Sequence, residues 1–448
     1  IYIYIYIYIY IYIYIYIYIY IIGRWEKNEH QEKKYIFSTN WKGILSSDLE
    51  GDEITSLLCL PIMSQKQTSS GAPDWTSVIV GFKSGTIAVY TENGLALLSQ
   101  VFEEKRVQQI SVRTYVPKNF GNCLYADLTE ELLILYSKCV VSIEGFSLLQ
   151  TLKACRNQAA KAAAIGGECP VVTSLSYKKW SLSEIENVNG CIGSGMVPPH
   201  LYDHVIMMSN LHGFNQGFSG SAPTTYVLMA VGRSPYFSSF YITEGFTQPY
   251  LTDIAFHFAS KLKNALLSAA SGWIFGNKTT QETSKTEKRK IEQPVYIPFR
   301  YTLPDKRRVG TSIQMATSRR LAAVTDDFGR VSVIDVQKNY VIRMFKGYRD
   351  AECGWINIHG EIEEKEREVP FLIIHAPRRN ILEVWLPQQG PRVAAFNVAK
   401  NSKLLYSSHS LLGASNKTET VLKTNSVVLI NSEGTMERLS IPFHLVLR

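Results

Sequence analysis

The sequence predicts an all-β chain, a degenerate WD-repeat-like β-propeller with helical insertions. Three observations lead there. Short apolar, strand-like runs dominate the 448 residues. Turn residues punctuate them at close spacing. The resulting meanders recur at roughly 40–50 residues, the cadence of propeller blades. About seven blades fit the length once insertions are removed, and a β-sandwich pair is the structural alternative.

The chain opens on IYIYIYIYIYIYIYIYIYIYII, Ile1–Ile22. The run has the length of a membrane-spanning helix. Ile is β-branched and Tyr aromatic, however, so both favour strand. As one strand it would reach roughly 70 Å, far beyond ordinary strand length. The codons offer a simpler origin, since ATA encodes Ile and TAT encodes Tyr. Ile1–Ile22 is therefore expected to be a translated AT repeat outside the fold, with the true amino terminus of the protein lying elsewhere. It has no basic start, small-residue cleavage site or initiator Met, and so does not read as a secretory signal. The propeller domain is expected over residues 23–448.

Thr76–Gly94, TSVIVGFKSGTIAVYTENG, reads as apolar run, turn, apolar run, turn. Arg320–Gly347 repeats the cadence with strands at Leu321–Val324, Arg330–Asp335 and Tyr340–Phe345, divided by TDDFG and QKN. Asp, Asn and Gly suit those turns because they bond their own backbone or accept left-handed conformations. Phe371–Lys400 is a third such unit. The strands alternate poorly between apolar and polar, as expected where both faces are buried, and no clear Trp-Asp dipeptide closes the units.

Three stretches break the rhythm. Phe146–Gly167 is rich in Ala, Lys and Arg and stops at Gly166–Gly167, so it predicts a helix. Ser181-x-x-Glu184 has the form of a capping box for a short second helix, which extends the helical insertion over about 146–190. Asp253–Phe275 predicts an amphipathic helix capped by Asp253, with Phe258, Leu262, Ala265 and Ala269 on one face. The following 277–293, NKTTQETSKTEKRKIEQ, is nearly devoid of apolar residues and predicts a disordered loop. Glu361–Glu368, EIEEKERE, reads as a shorter charged loop.

Composition narrows the function classes. Hydrophobic residues make up 46% and charged residues 19%, as in a folded soluble domain. The net charge of +8 sits partly in Lys285–Lys290 and Lys306–Arg308, which read first as solvated loops. Weak attraction to anionic lipid or an acidic partner is the functional reading of those runs. Basic repeats interleaved with aromatics are absent, so nucleic acid is not an expected partner. The seven cysteines are scattered and never spaced C-x-x-C, which points to reduced cytosolic thiols and away from zinc.

Neither catalytic residues nor a metal or cofactor site is predicted. The sequence carries no H-E-x-x-H, P-loop or Rossmann glycine pattern. Gly217–Ser221, GFSGS, lacks the spacing of a nucleophile elbow and reads as a loop. Asp326–Asp327 reads as a pair of turn residues bonding the local backbone. Arg378, Arg379 and nearby Arg392 have the chemistry of an arginine finger, which needs a rigid loop aimed at a γ-phosphate. Arg378 and Arg379 instead sit in a turn between strands, where solvation comes first, partner contact second and catalysis third. The helix at 253–275 and its WIF end, Trp273, Ile274 and Phe275, read first as packing or partner docking. Insertion into loosely packed lipid through Phe258, Leu262 and these three residues is the sharper reading.

Several stretches resemble a known family and occur in its order from about Trp41 onward. They are DWTSVIVGFKSGTIAVYTENG, LSYKKW, ASKLKNALLSAASGW, AAVTDDFGRVSVIDVQKNYVIRMFKGYRDAECGWI, APRRNILEVWLPQQGPRVAAFNVAK and IPFHLVL. TDDFGRV, KGYRDA and QQGPRV are the most specific. Together they resemble the amino-terminal region of the non-catalytic subunit of the Rab-3 GTPase-activating complex. The resemblance implies a regulatory subunit that pairs with a separate catalytic subunit carrying the activating arginine. It further implies Rab GTPases as partners, with Rab-3 GTP hydrolysis, Rab-18 nucleotide exchange, vesicle traffic and autophagy as the setting. A cytoplasmic location, peripheral at the endoplasmic reticulum, follows from the same resemblance. Family members begin with ordinary sequence where this chain has Ile-Tyr repeats and continue far past PFHL. The resemblance transfers no catalytic residue.

Overall fold

The computed structural model describes residues 19–27, 35–44, 52–63, 73–114, 130–165, 175–197, 225–243, 291–362, 365–409, 411–413, 427–432 and 436–442. A hairpin of β1 (Ile19–Lys27) and β2 (Tyr35–Ile44) comes first. It takes in Ile19–Ile22, so the boundary expected at residue 22 falls inside a strand. Alternating Ile and Tyr are strand formers, and here they find a partner strand. Residues 1–18 lie outside the described residues.

Six sheets follow in sequence order. The first holds β3 (Ile54–Ile62), β4 (Trp75–Phe82), β5 (Thr86–Thr91) and β6 (Ala96–Val101). The second begins with β7 (Gln109–Arg113), β8 (Glu131–Leu135) and β9 (Cys139–Glu144). It continues past helix α1 (Gly145–Ile165) to β10 (Lys178–Ser181). The third has β11 (Asn187–Val197), β12 (Thr225–Arg233) and β13 (Phe237–Thr243). The chain then adds β14 (Val295–Tyr296) beside β10, parallel to it, before β15 (Phe299–Leu303) completes the third sheet. The fourth is β16 (Gly310–Met315), β17 (Leu321–Asp326), β18 (Arg330–Asp335) and β19 (Tyr340–Lys346). The fifth is β20 (Glu352–Ile362), β21 (Lys365–Ala376), β22 (Ile381–Trp385) and β23 (Arg392–Asn397). The sixth has β24 (Lys403–Tyr406), β25 (Val427–Ile430) and β26 (Met436–Arg438).

The first strands of these sheets form a ring. β3 lies beside β7, β7 beside β11, β11 beside β16, β16 beside β20, and β20 beside β24. The ring closes where the Met63 N–H donates to Leu412 O at 3.0 Å and the Leu412 N–H to Pro61 O at 3.0 Å. His409 Nε2 meets Cys59 O at 2.9 Å on the same seam. This is a six-bladed β-propeller, one blade fewer than the length alone suggested.

The poor alternation of the strands has its cause here. Ile79, Ile87 and Val89 pack into the core between the first and second blades, whereas Val78, Val80, Phe82 and Ala88 pack into a separate cluster. Likewise Leu321 and Ala323 face one cluster, and Ala322 and Val324 another. Each middle strand is therefore buried on both faces and needs apolar residues at every position.

The strands expected at 321–324, 330–335 and 340–345 are found with small extensions. α1 matches the helix expected from 146, but the helical insertion does not extend to 190. Ser181–Glu184 opens no helix, because Lys178–Ser181 is strand β10, paired with β9 and β14. Burial of Trp180, Leu182, Ile185 and Val188 overrides the local capping signal. Ile291–Gln293, expected at the end of a disordered loop, belong to the described residues. There Glu292 O accepts from the buried Lys179 Nζ at 3.1 Å. Within EIEEKERE, Glu361, Ile362 and Lys365–Glu368 are strand and not loop, at the far end of the β20–β21 pairing that runs from Glu352↔His375 out to Ile362↔Lys365; residues 363–364 lie outside the described residues. The helix expected over 253–275, the loop at 277–290 and GFSGS lie outside the described residues.

Candidate functional site

TDDFGRV, KGYRDA and QQGPRV are separated in sequence and all lie at the junction of the fourth and fifth blades, the first two in contact at one end and QQGPRV, on the β22–β23 connection, at the other. The first contributes the β17–β18 turn. Asp326 Oδ1 accepts the Arg330 N–H at 2.8 Å, and Asp327 Oδ1 accepts the Val309 N–H at 2.9 Å. The acidic pair thus works as turn chemistry. Burial raises the Asp326 carboxyl above its ordinary pKa, against the opposing Arg330 N–H and the Arg308 and Arg330 charges. Gly329 ends the turn at φ +76°, a left-handed conformation that favours glycine. A Cβ there would also lie 2.7 Å from Arg349 Cγ, so the turn and KGYRDA are in close contact.

KGYRDA leaves β19 through Gly347 at φ +90° and leads into β20. The Tyr348 N–H donates to Gly329 O at 2.8 Å, fastening this connection to the turn. Tyr348 is buried, and its hydroxyl donates to Glu383 on β22. Burial and that carboxylate push the phenol pKa up to about 12. Glu383, 2% exposed, also accepts from Trp385 Nε1 at 3.1 Å and from Arg392 Nη1 at 2.8 Å. Burial alone would raise its carboxyl, but hydrogen bonds from Tyr348, Trp385 and Arg392 outweigh burial and hold it below the ordinary value.

QQGPRV forms the β22–β23 connection. Arg343 on β19 lies 4.6 Å from the Phe345 ring centroid and 5.1 Å from that of Trp385. Its Nη1 reaches the carbonyls of Leu386, Gln388 and Gly390 at 3.2, 3.0 and 2.6 Å. Gly390 leaves no room for a side chain, since a Cβ would sit 2.2 Å from Leu386 Cβ. The sequence reading missed Arg343 and Glu383. A signal existed, for each is a lone charge inside an apolar strand, in YVIRMF and ILEVW.

Arg378 and Arg379 lie in the short 3-10 turn Pro377–Arg379 between β21 and β22. Arg378 Nε pairs with Asp350 Oδ2, both side chains more than half exposed. Arg379 Cζ lies 5.7 Å from the Tyr348 ring centroid. Arg392 faces Glu383, apart from that turn. The structure therefore brings Arg378 and Arg379 to KGYRDA. Phe258, Leu262, Trp273, Ile274 and Phe275 lie outside the described residues. Among the described residues no group of three or more His, Cys, Asp or Glu is arranged to hold a metal. Among the described residues Cys59, Cys139, Cys155, Cys191 and Cys353 form no disulfide. No helix among the described residues is long and apolar enough to cross a membrane.

The sequence model of one protein family, described as the Rab3 GTPase-activating protein regulatory subunit N-terminus, matches residues 17–405. The chain belongs to this family. The Rab3 GTPase-activating protein regulatory subunit of Caenorhabditis elegans is 32% identical over 161 residues, covering 35% of this chain and 12% of that relative. The alignment thus spans about an eighth of the curated relative. Among solved structures, Sqt1 of Saccharomyces cerevisiae is similar with a TM-score of 0.39 at 10% identity, covering 95% of this chain and 79% of the other. The C-terminal WD40 domain of Sif2 is similar with a TM-score of 0.36 at 8% identity, covering 95% and 90%. In this member of the regulatory-subunit family the propeller rests on its own ring of first strands, and the three motifs named above knit its fourth and fifth blades.

Proposed function

We propose that the chain is the propeller region of a regulatory, non-catalytic subunit that scaffolds the catalytic subunit of a Rab GTPase-activating complex. The family match over residues 17–405 carries this reading. The arginines support it, because their heads serve the fold: Arg343 bonds carbonyls, Arg392 bonds Glu383 and Arg378 bonds Asp350. An arginine finger has to reach a phosphate on another molecule. The reading extends to Rab-3 GTP hydrolysis, to Rab-18 nucleotide exchange, and to vesicle traffic and autophagy. It puts the protein in the cytoplasm, peripheral at the endoplasmic reticulum. The amphipathic pattern of 253–275 supports a membrane or partner contact through Phe258, Leu262, Trp273, Ile274 and Phe275.

Reconstitution tests the central claim. The purified chain is mixed with the catalytic subunit and GTP-loaded Rab3, and phosphate release is followed. The chain alone leaves the intrinsic rate unchanged, and it co-elutes with the catalytic subunit. Acceleration by the chain alone, lost in Arg378→Ala or Arg379→Ala, would overturn the non-catalytic reading. For the membrane contact, Phe258→Asp with Leu262→Asp abolishes flotation with liposomes if the helix inserts, and leaves it unchanged if the helix only packs.

A further inference from the structure

We infer that the end of the propeller formed by the β17–β18, β19–β20, β21–β22 and β23–β24 connections is a preformed docking face for an acidic protein surface. Antiparallel alternation brings these four connections to the same end of the fourth and fifth blades. Hydrogen bonds and an ion pair then fasten them together. Tyr348 N–H to Gly329 O joins the first two, Arg378 to Asp350 the second and third, and Val398 N–H to Asn380 O, at 2.9 Å, the third and fourth. Asp350, Asn380 and Asn401 each adopt a left-handed backbone, at φ +57°, +51° and +60°, which fixes the course of three of the four connections. The exposed cations at this end are Lys346, Arg349, Arg378, Arg379 and Lys400. Two exposed carboxylates accompany them, and both are engaged: Asp327 with the Val309 N–H and Asp350 with Arg378. Phe328 stands beside Arg349's turn contact with half its surface in water, at 51% exposure.

Charge complementarity names the partner's chemistry. Arginine guanidinium groups recognise carboxylates through directed, paired hydrogen bonds, and Arg with an exposed aromatic ring is the composition of interface hot spots. Lipid attraction needs only loose positive charge. Here Arg379 is set against Tyr348 and Arg378 against Asp350, so the heads are held in place before any partner arrives. That pre-organisation favours a protein surface. The inference rests on the scaffolding reading only for the identity of its partners.

The experiment uses the whole chain and three probes: poly-L-glutamate, the catalytic subunit with GTP-loaded Rab3, and phosphatidylserine vesicles. The face variants are Arg349→Glu with Arg379→Glu, and Lys346→Glu with Lys400→Glu. The second pair alters exposed lysines, so it keeps the test decisive if the first pair misfolds. The control, Lys161→Glu with Lys338→Glu, makes the same charge change away from this end. Both face variants are expected to weaken poly-L-glutamate and the protein partner more than tenfold, and the control less than twofold. Equal losses in face variants and control would overturn the face, as would face variants that lose vesicles but keep proteins. If the wild-type chain binds neither catalytic subunit nor Rab3 while poly-L-glutamate still depends on the face, the scaffolding reading fails and the face stands.

Discussion

Two junctions of this propeller are held together in different ways. Where α1 lies against the first and second blades, the glue is apolar. Leu148, Leu149, Leu152, Cys155 and Ala159 recur along one helix face and enter a core shared with Leu97, Leu98, Ile143 and Leu412. Where the fourth blade meets the fifth, directed contacts are added to an apolar core that includes Val331, Phe345, Trp355 and Leu372: Tyr348, Trp385 and Arg392 converge on Glu383, and Arg343 is set between two aromatic rings and three carbonyls. Apolar burial is tolerant of identity and indifferent to direction. Directed polar contacts fix loop positions, and that is what a surface needs if it is to meet another molecule in a set geometry.

The largest effect is expected at the apolar junction. Leu152 is fully buried on α1. Leu152→Ala removes its transfer energy and leaves a cavity, at a cost of about 2–5 kcal/mol. Urea unfolding monitored by tryptophan fluorescence should register that loss. Partner binding at the fourth and fifth blades should persist wherever the variant remains folded. A loss below 0.5 kcal/mol would mean that α1 is peripheral to the core.

How much of this contrast is legible in the sequence depends on the kind of glue. Three of the four strands of the fourth blade, all but β16, could be read almost to the residue, because apolar runs and Asp/Gly/Asn turns are local signals. The α1 helix could be read from its composition. β10 could not: Lys178–Ser181 is a strand only because β9 and β14 flank it, and β14 lies more than a hundred residues away in sequence. The pairing within EIEEKERE was hidden likewise, since its charges resemble a loop until the register with β20 is known. Arg378 and Arg379 were found as an exposed pair, whereas Glu383 and Arg343 were not. A buried charge is meaningful only through the partners that surround it.

The next effect tests the polar junction. Glu383→Gln keeps the shape but removes the charge that Arg392 faces and weakens the bond from Tyr348. A hydrogen bond to a charged group is worth about 1.5–3 kcal/mol, so a loss near the low end is expected at neutral pH given the exposure of Arg392. The pH dependence gives a second measure. The folded Glu383 and Glu352 carboxyls lie below their ordinary values because hydrogen bonds outweigh burial. Their contribution is complete above the unfolded carboxylate pKa, about 4.3, and is lost as pH falls through the depressed folded value. Asp326, raised by burial, acts in the opposite direction and offsets part of that slope. Glu383→Gln should therefore flatten the stability loss between about pH 5 and 3. An unchanged slope would show that Glu383 keeps its ordinary pKa in the fold.

Arg343→Lys is a finer probe. Charge is retained, and what is lost is the planar group set against Phe345 and Trp385 and reaching the carbonyls of QQGPRV. A lysine offers a point charge without that flat head. About 1 kcal/mol is expected, the scale of a stacked cation on an aromatic ring together with a weakened hydrogen bond. Hydrogen exchange should show the cause directly, with residues 386–391 opening faster while α1 is unchanged.

The smallest stability effect belongs to Phe328, and it separates the two junctions most sharply. A large apolar side chain at the tip of a turn is an exception to be explained if the turn exists only to reverse the chain. Half of its surface meets water, and Arg330 Cζ lies 5.9 Å from its ring centroid. Phe328→Ser should therefore change unfolding free energy by no more than about 0.5 kcal/mol, the range of an ordinary surface substitution. Aromatic residues at the centre of an interface often cost 2 kcal/mol or more on truncation, so the same variant should weaken a partner at this end by about tenfold or more. Leu152→Ala has the opposite profile, with a large loss of stability and retained binding. If Phe328→Ser instead destabilises the fold by more than 1 kcal/mol and leaves binding intact, Phe328 belongs to the apolar core that joins the fourth and fifth blades and serves the fold alone.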